Sequence, residues 1–310
     1  MASVWLAVLA LLFAGPVPAL LAHAHWPRTV PRAAIVLWQA IALAAVLAAV
    51  GSVLAAPEEF LRATAAPADR SGLPLLVALG VATLLAGLII VRLAVVLVLL
   101  AVRTRRRRAR HRDMVDLLDR AERSEALGPP QVRAVLRVLD GTLPFAYCVP
   151  GRAGRVVVTD ATLDTLDPAQ LSAVLAHEQA HLDARHDLVR EGFTALHQAF
   201  PVVVRSREAR DAVALLLEML ADDAARRRHG DDAMAGALAA FVRESSSRGE
   251  PAADDTDEVR LRLARVRACV AGGRALAAGT YAAAVAIVVV PTVVVVIPWL
   301  TEALPTVGMR

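Results

Sequence analysis

Four long apolar blocks constrain this chain more than any other feature. They cover residues 4–22, 33–56, 73–102 and 275–300. A bilayer core takes about 20 helical residues, and each block reaches roughly that length. The chain is 57% apolar with a mean hydropathy of +0.52, against about 45–50% apolar in an ordinary soluble domain. The excess is confined to the blocks. Residues 103–274 therefore form a segment of normal polarity, long enough for a compact domain with its own core. The expected fold class is mainly α: three transmembrane helices, a helical domain with one small β-hairpin, a fourth transmembrane helix at 275–300, and a short tail at 301–310.

The first block competes with a signal peptide, since Ala22-His23-Ala24 resembles a cleavage site. No positive region precedes the block, and it exceeds the usual ~7–15 residues of a signal core, so a retained helix is expected. The third block would make a helix of about 45 Å at 1.5 Å per residue, longer than the lipid core. With residues 73–91 spanning, Arg92 reaches the boundary and can snorkel. In the fourth block Pro291 predicts a kink, which packed membrane helices tolerate.

Charge sets the orientation. Arg103, Arg105, Arg106, Arg107, Arg108, Arg110 and Arg112 follow the third block, whereas residues 57–72 hold Glu58, Glu59 and Asp69 against Arg62 and Arg70. The positive-inside rule makes the Arg cluster cytoplasmic. The N-terminus is then outside, residues 103–274 are inside, and Arg28 and Arg32 lie in a cytoplasmic loop. This rule also accounts for the basic pI of about 9.9 without nucleic-acid binding. All 34 basic residues are Arg, and the chain lacks Lys and Asn; that bias reads as the codon usage of a high-GC bacterium. Two cysteines, Cys148 and Cys269, exclude a disulfide framework.

Within the polar segment, residues 113–139 read as two helices around Gly128-Pro129-Pro130. The runs 145–149 and 155–159 read as strands of a hairpin. Asp167, Pro168 and Gln170 form a capping box opening a helix to about Arg185. A second helix runs to about Phe200, where Pro201 ends it. A third covers roughly 205–229 and closes at Gly230. Residues 245–257 read as a linker, and 258–270 as a last amphipathic helix.

The first of those helices carries His177-Glu178-Gln179-Ala180-His181. Two histidines four apart share a helix face and can point at one metal ion. Glu178 beside them is placed to act as general base rather than as ligand, the arrangement of a zinc peptidase. Two histidines leave zinc one ligand short. The candidates downstream are His186, His197, Glu218, Asp222 and His229. His186, read as part of the same helix, is rotated away. Glu218 and Asp222 are again four apart, in an otherwise apolar helix. Glu218 is expected as third ligand, and Asp222 as acceptor for a ligand histidine. Tyr147, His229 and Arg262 are candidates for the oxyanion donor. Substrate is expected to add as a strand at Val156-Val157-Val158.

His-Glu-x-x-His followed by Glu-x-x-Ala-Asp on a later helix resembles the gluzincin membrane peptidases of the HtpX and CAAX-prenyl protease type. The layout is more similar to the BlaR/MecR-type signal-transducing peptidases. The stretch around Ala173–Glu178, Asp187 six residues beyond His181, and Phe200-Pro201 carry that likeness. It implies a zinc endopeptidase, with Zn2+ as cofactor and a cytoplasmic winged-helix repressor of the BlaI/MecI type as partner. One departure stands out: only about ten residues follow Leu300, so the penicillin-binding sensor domain of the beta-lactam receptors is not expected. Two other functions remain open on the sequence: membrane-protein quality control, and a signalling scaffold with a structural metal site.

Overall fold

In the computed structural model, the described residues are 2–65, 73–119, 136–151, 154–199, 207–247, 254–268, 273–293 and 297. The expected turn at Gly128–Pro130, the helix end at Phe200-Pro201, Cys269, Pro298 and the tail lie outside them. The chain divides into two compact units. One comprises Met1–Leu99, Gly192–Val213 and Gly272–Arg310; the other comprises Leu100–Glu191 and Ala214–Ala271.

The first unit is helical. Helices α1 (Ala2–Ala14) and α2 (Pro16–His23) replace the single helix expected over 4–22. The break falls at Gly15, because Pro16 and Pro18 bring no N–H to a helical ladder. A 3-10 turn (Trp26–Thr29) leads to α3 (Pro31–Ala65), and α4 covers Leu73–Leu118. The last described helix is α11 (Arg274–Pro291). Small residues let these helices approach closely. Leu6 and Ala10 pack on Ala48 and Ala49, and Leu37, Ala40 and Ile41 pack on Ala284. Among the described residues, two helical stretches are long and apolar enough to cross a membrane, Ser3–His23 and Pro31–Val53; Arg274–Val289 is a shorter apolar helix.

The second unit holds the sheet. Strands β1 (Leu136–Leu139), β2 (Ala146–Val149) and β3 (Arg155–Thr159) run in the order β1-β3-β2. The expected hairpin is β2 with β3, paired antiparallel with Cys148 opposite Val156. The sheet corrects the sequence reading twice. Leu136–Leu139, expected as helix, is a strand parallel to β3 with Leu136 opposite Val156. And β3 is central, with both edges paired, so no substrate strand can add along Val156-Val157-Val158.

Alternation along β3 then orders the layers. Val156 and Val158 face Leu175 and Leu182 of α6 (Pro168–Asp183), while Val157 faces Val115 of α4. A short helix, α5 (Asp160–Thr165), links β3 to α6. The capping box is formed: Asp167 Oδ1 accepts from the N–H groups of Ala169 and Gln170, both at 2.9 Å, and Gln170 Oε1 accepts from the Asp167 N–H at 3.3 Å. Such a cap contributes about 1 kcal/mol.

Four more helices complete the description: α7 (His186–Ala199), α8 (Arg207–His229), α9 (Asp231–Ser247) and α10 (Asp254–Arg267). The sequence reading assigned no helix to 231–244, and it placed a linker over 245–257. Helix instead extends to Ser247 and resumes at Asp254. Ala173 and Ala176 of α6, Ala225 of α8, Met234 and Leu238 of α9 and Val266 of α10 form the core behind His177 and His181.

Candidate metal centre

Helix α6 delivers His177, Glu178 and His181, and α8 delivers Glu218 and Asp222. All but Glu218 are at most 9% exposed. His177 Nε2 lies 3.2 Å from His181 Nε2 and 3.3 Å from Glu218 Oε2; His181 Nε2 lies 3.5 Å from Glu218 Oε1. Donors about 2.0–2.1 Å from a tetrahedral zinc sit about 3.3–3.4 Å apart. The spacing and the N, N, O donor set therefore fit a zinc ion.

Behind this cluster stands a chain of charge. Asp222 Oδ1 is 3.0 Å from His177 Nδ1, although the ring is not aligned for a hydrogen bond there. The same carboxylate accepts two hydrogen bonds from Arg262, Nε to Oδ2 at 2.9 Å and Nη2 to Oδ1 at 2.7 Å. Arg262 Nη1 is also 3.2 Å from Glu218 Oε2, and Arg190 Nη2 donates to Glu218 Oε1 at 3.0 Å.

Burial and pairing compete at each group. Burial pushes the Asp222 carboxyl up, but the Arg262 guanidinium outweighs it and holds the group at about 2. Burial also raises Glu218, yet hydrogen bonds from His177 and His181, with the Arg262 charge, hold it well below the carboxylate range. Burial lowers His177, and Asp222 and Glu218 reverse this, raising it to about 9. Without a metal, His177 is therefore protonated at neutral pH, and a metal must displace that proton.

His186 does not lie where the sequence placed it. Helix α6 ends at Asp183, and Arg185 takes φ 50, a left-handed conformation that costs a non-glycine residue about 1–2 kcal/mol. His186 thus opens α7 instead of continuing α6. Its Nδ1 returns to within 2.9 Å of His181 Nδ1. Burial, then the neighbouring His181, lowers His186 to about 4, which keeps the ring neutral and able to accept from His181.

The remaining candidates separate cleanly. Arg262 joins the cluster, but its guanidinium is committed to two carboxylates rather than free as an oxyanion donor. Tyr147 sits on the sheet face away from α6, packed with Val115 and Val149, and its hydroxyl meets His111 Nε2 at 3.0 Å. His229 is exposed at the end of α8, about three turns beyond Glu218. Neither reaches the cluster. Cys148, next along β2, faces α6: burial, then the adjacent Glu178 carboxylate, pushes its thiol up to about 12. The sequence reading gave no role to Arg190 and used Arg108 only to set orientation; Arg108 pairs with Asp187 at 2.7 Å and with Glu191. Arg190 follows His186 by four residues, so the spacing rule that found Glu218 and Asp222 would have found it too.

No curated protein and no solved structure gives a significant match to this chain. Residues 102–255 match the family model of peptidase family M48, a span that contains the two histidines, Glu178, Glu218 and Asp222, and the match supports the M48 metallopeptidase family for this chain.

Proposed function

We propose that this chain is a membrane-anchored zinc endopeptidase that cleaves a cytoplasmic protein. The observation that carries the reading is the spacing of His177, His181 and Glu218, with the buried Glu178 next to His177. His177, His181 and Glu218 would hold the ion. Bound there, zinc would supply a Lewis acid for the scissile carbonyl and a nucleophile at neutral pH. Glu178 takes the proton from the attacking water and delivers it to the leaving amine nitrogen. Asp222, fixed by Arg262, holds the His177 ring, and His186 holds the His181 ring.

A substrate strand needs a free sheet edge. Among the described residues the outer edge of β2 carries no strand, and β2 packs on α6 through Ala146. We assign the substrate to that edge. The membrane reading extends to four spans, with the metal site cytoplasmic. Its support is the apolar length of the four blocks and the arginines at 103–112.

The test is a comparison of cells carrying the wild-type chain with cells carrying Glu178→Gln. The expected result is one or a few cytoplasmic proteins that persist at full length only in the variant. A repressor among them supports signalling, and damaged membrane proteins support quality control. Identical protein profiles, with the variant expressed normally, would overturn the peptidase reading.

A further inference from the structure

Helix α7 meets the metal centre with one row of side chains and α4 with another. His186 and Arg190, four apart, reach the site: His186 Nδ1 lies 2.9 Å from His181 Nδ1, and Arg190 Nη2 donates to Glu218 Oε1 at 3.0 Å. Asp187 and Glu191, also four apart and one position further on, form the second row. Arg108 of α4 spans them, with Nη1 donating to Asp187 Oδ2 at 2.7 Å and Nη2 donating to Glu191 Oε1.

The start of α7 depends on such a grip. It leaves α6 through Arg185, whose left-handed φ of 50 lasts only where its surroundings hold it. Of residues 186–191 only His186 is buried, and Leu188 is 51% exposed, so apolar burial there is slight. The Arg108 pairs supply the hold. None of their three side chains is more than 25% exposed, which separates them from the fully solvated pairs that contribute little.

The place of His186 matters because of the nitrogen that His181 offers. His181 Nε2 lies 3.2 Å from His177 Nε2 and 3.5 Å from Glu218 Oε1. For Nε2 to serve as a ligand atom, the ring proton must sit on Nδ1, where His186 Nδ1 accepts it. Were His186 withdrawn with α7, that proton would lose its acceptor and the ring its orientation.

We infer that Arg108 is a positioning residue for the metal centre: by holding Asp187 and Glu191 it seats the first turns of α7, and so keeps His186 on His181. The inference rests on the zinc reading of the site and not on cleavage.

The test is the zinc affinity of the full chain in detergent, measured against a competing chelator, with melting of the metal-free protein alongside. Arg108→Gln removes a positive charge. By charge alone, zinc would then bind more tightly; acting through His186, the change weakens binding about tenfold, the scale for a residue that orients a ligand. Arg108→Lys keeps the charge but not the two-pronged grip, so its affinity should fall between; it also carries the test if Arg108→Gln does not fold. In a His186→Gln background, Arg108→Gln should cost no further affinity. Unchanged or tighter zinc binding in Arg108→Gln, whatever its melting point, would overturn the inference, and so would an equal further loss in the His186→Gln background. A wild-type chain with no affinity for zinc would instead remove the metal reading, and this role with it.

Discussion

Arg262 and Asp222 form the most completely satisfied charged pair at the metal centre, with two hydrogen bonds of 2.9 and 2.7 Å between side chains that are 9% and 0% exposed. Removing one partner of a buried pair strands the other's charge and costs about 3–5 kcal/mol. Arg262→Ala should therefore lower the denaturation midpoint sharply even in the metal-free protein. Asp222→Asn should fold better than Arg262→Ala, yet lose about 10–100-fold in zinc affinity or activity through the His177 ring. Equal melting of wild type and Arg262→Ala would refute the first of these.

The metal stoichiometry follows from the donor set. Purified protein should hold about one zinc per chain, as expected of a three-ligand site. His181→Ala and Glu218→Ala should each lose it, as read by elemental analysis. Glu178→Gln should keep its zinc while cleavage falls by at least ~10²-fold, the lower end for a general base. Full zinc occupancy in Glu218→Ala would move the third ligand elsewhere.

Acid and alkali should act on the metal-free protein through different groups. His177 rises from 6.5 to about 9 on folding. Its contribution to stability is complete below pH 6.5 and disappears as pH rises through 9. Asp222 falls from 3.8 to about 2. Its contribution is complete above pH 3.8 and disappears as pH falls through 2. His186 falls from 6.5 to about 4, so its contribution is complete above pH 6.5 and is lost as pH falls through 4. Chelated protein should thus melt highest near pH 6.5, losing stability toward pH 4 and, on the alkaline side, toward pH 9. Zinc should bind more tightly over that same alkaline range, because the His177 proton no longer competes. Thermal melts with chelator and with zinc across pH 4–9 would show both trends; chelated protein that gained stability from pH 7 to 9 would contradict the first.

Orientation in the membrane can be read from reporters. A fusion after Arg112 to an enzyme active only outside the cell should be silent, and one within residues 57–72 should be active. The opposite pattern would reverse the orientation and put the metal centre outside.

Local chemistry is what the sequence displayed. The capping box at Asp167 and Gln170 placed α6, and four-residue spacing brought out His177 with His181 and Glu218 with Asp222. Each of these signals sits within one helical turn. What stayed hidden depends on long-range pairing. Nothing near Leu136–Leu139 announces a strand whose partner is β3, and nothing near Arg262 announces Asp222, forty positions away. The left-handed conformation of Arg185 was hidden for another reason: such a residue is normally signalled by glycine or asparagine, and here it is arginine. The helix end near Arg185 was legible, but with no signal for the sharp turn, His186 still reads as rotated away on the same helix.

Arg262 also bears on where the part of this protein that carries the candidate metal centre ends. The family match stops at residue 255, seven positions short of the guanidinium that neutralises Asp222 and touches Glu218. A fragment trimmed at that border would keep both histidines, Glu178, Glu218 and Asp222. It would still carry Asp222 stripped of its counter-ion and Glu218 left with Arg190 alone, beside a core missing Val266. The smallest autonomous piece is set by electroneutrality around the metal rather than by the reach of the motif, and it must run through α10.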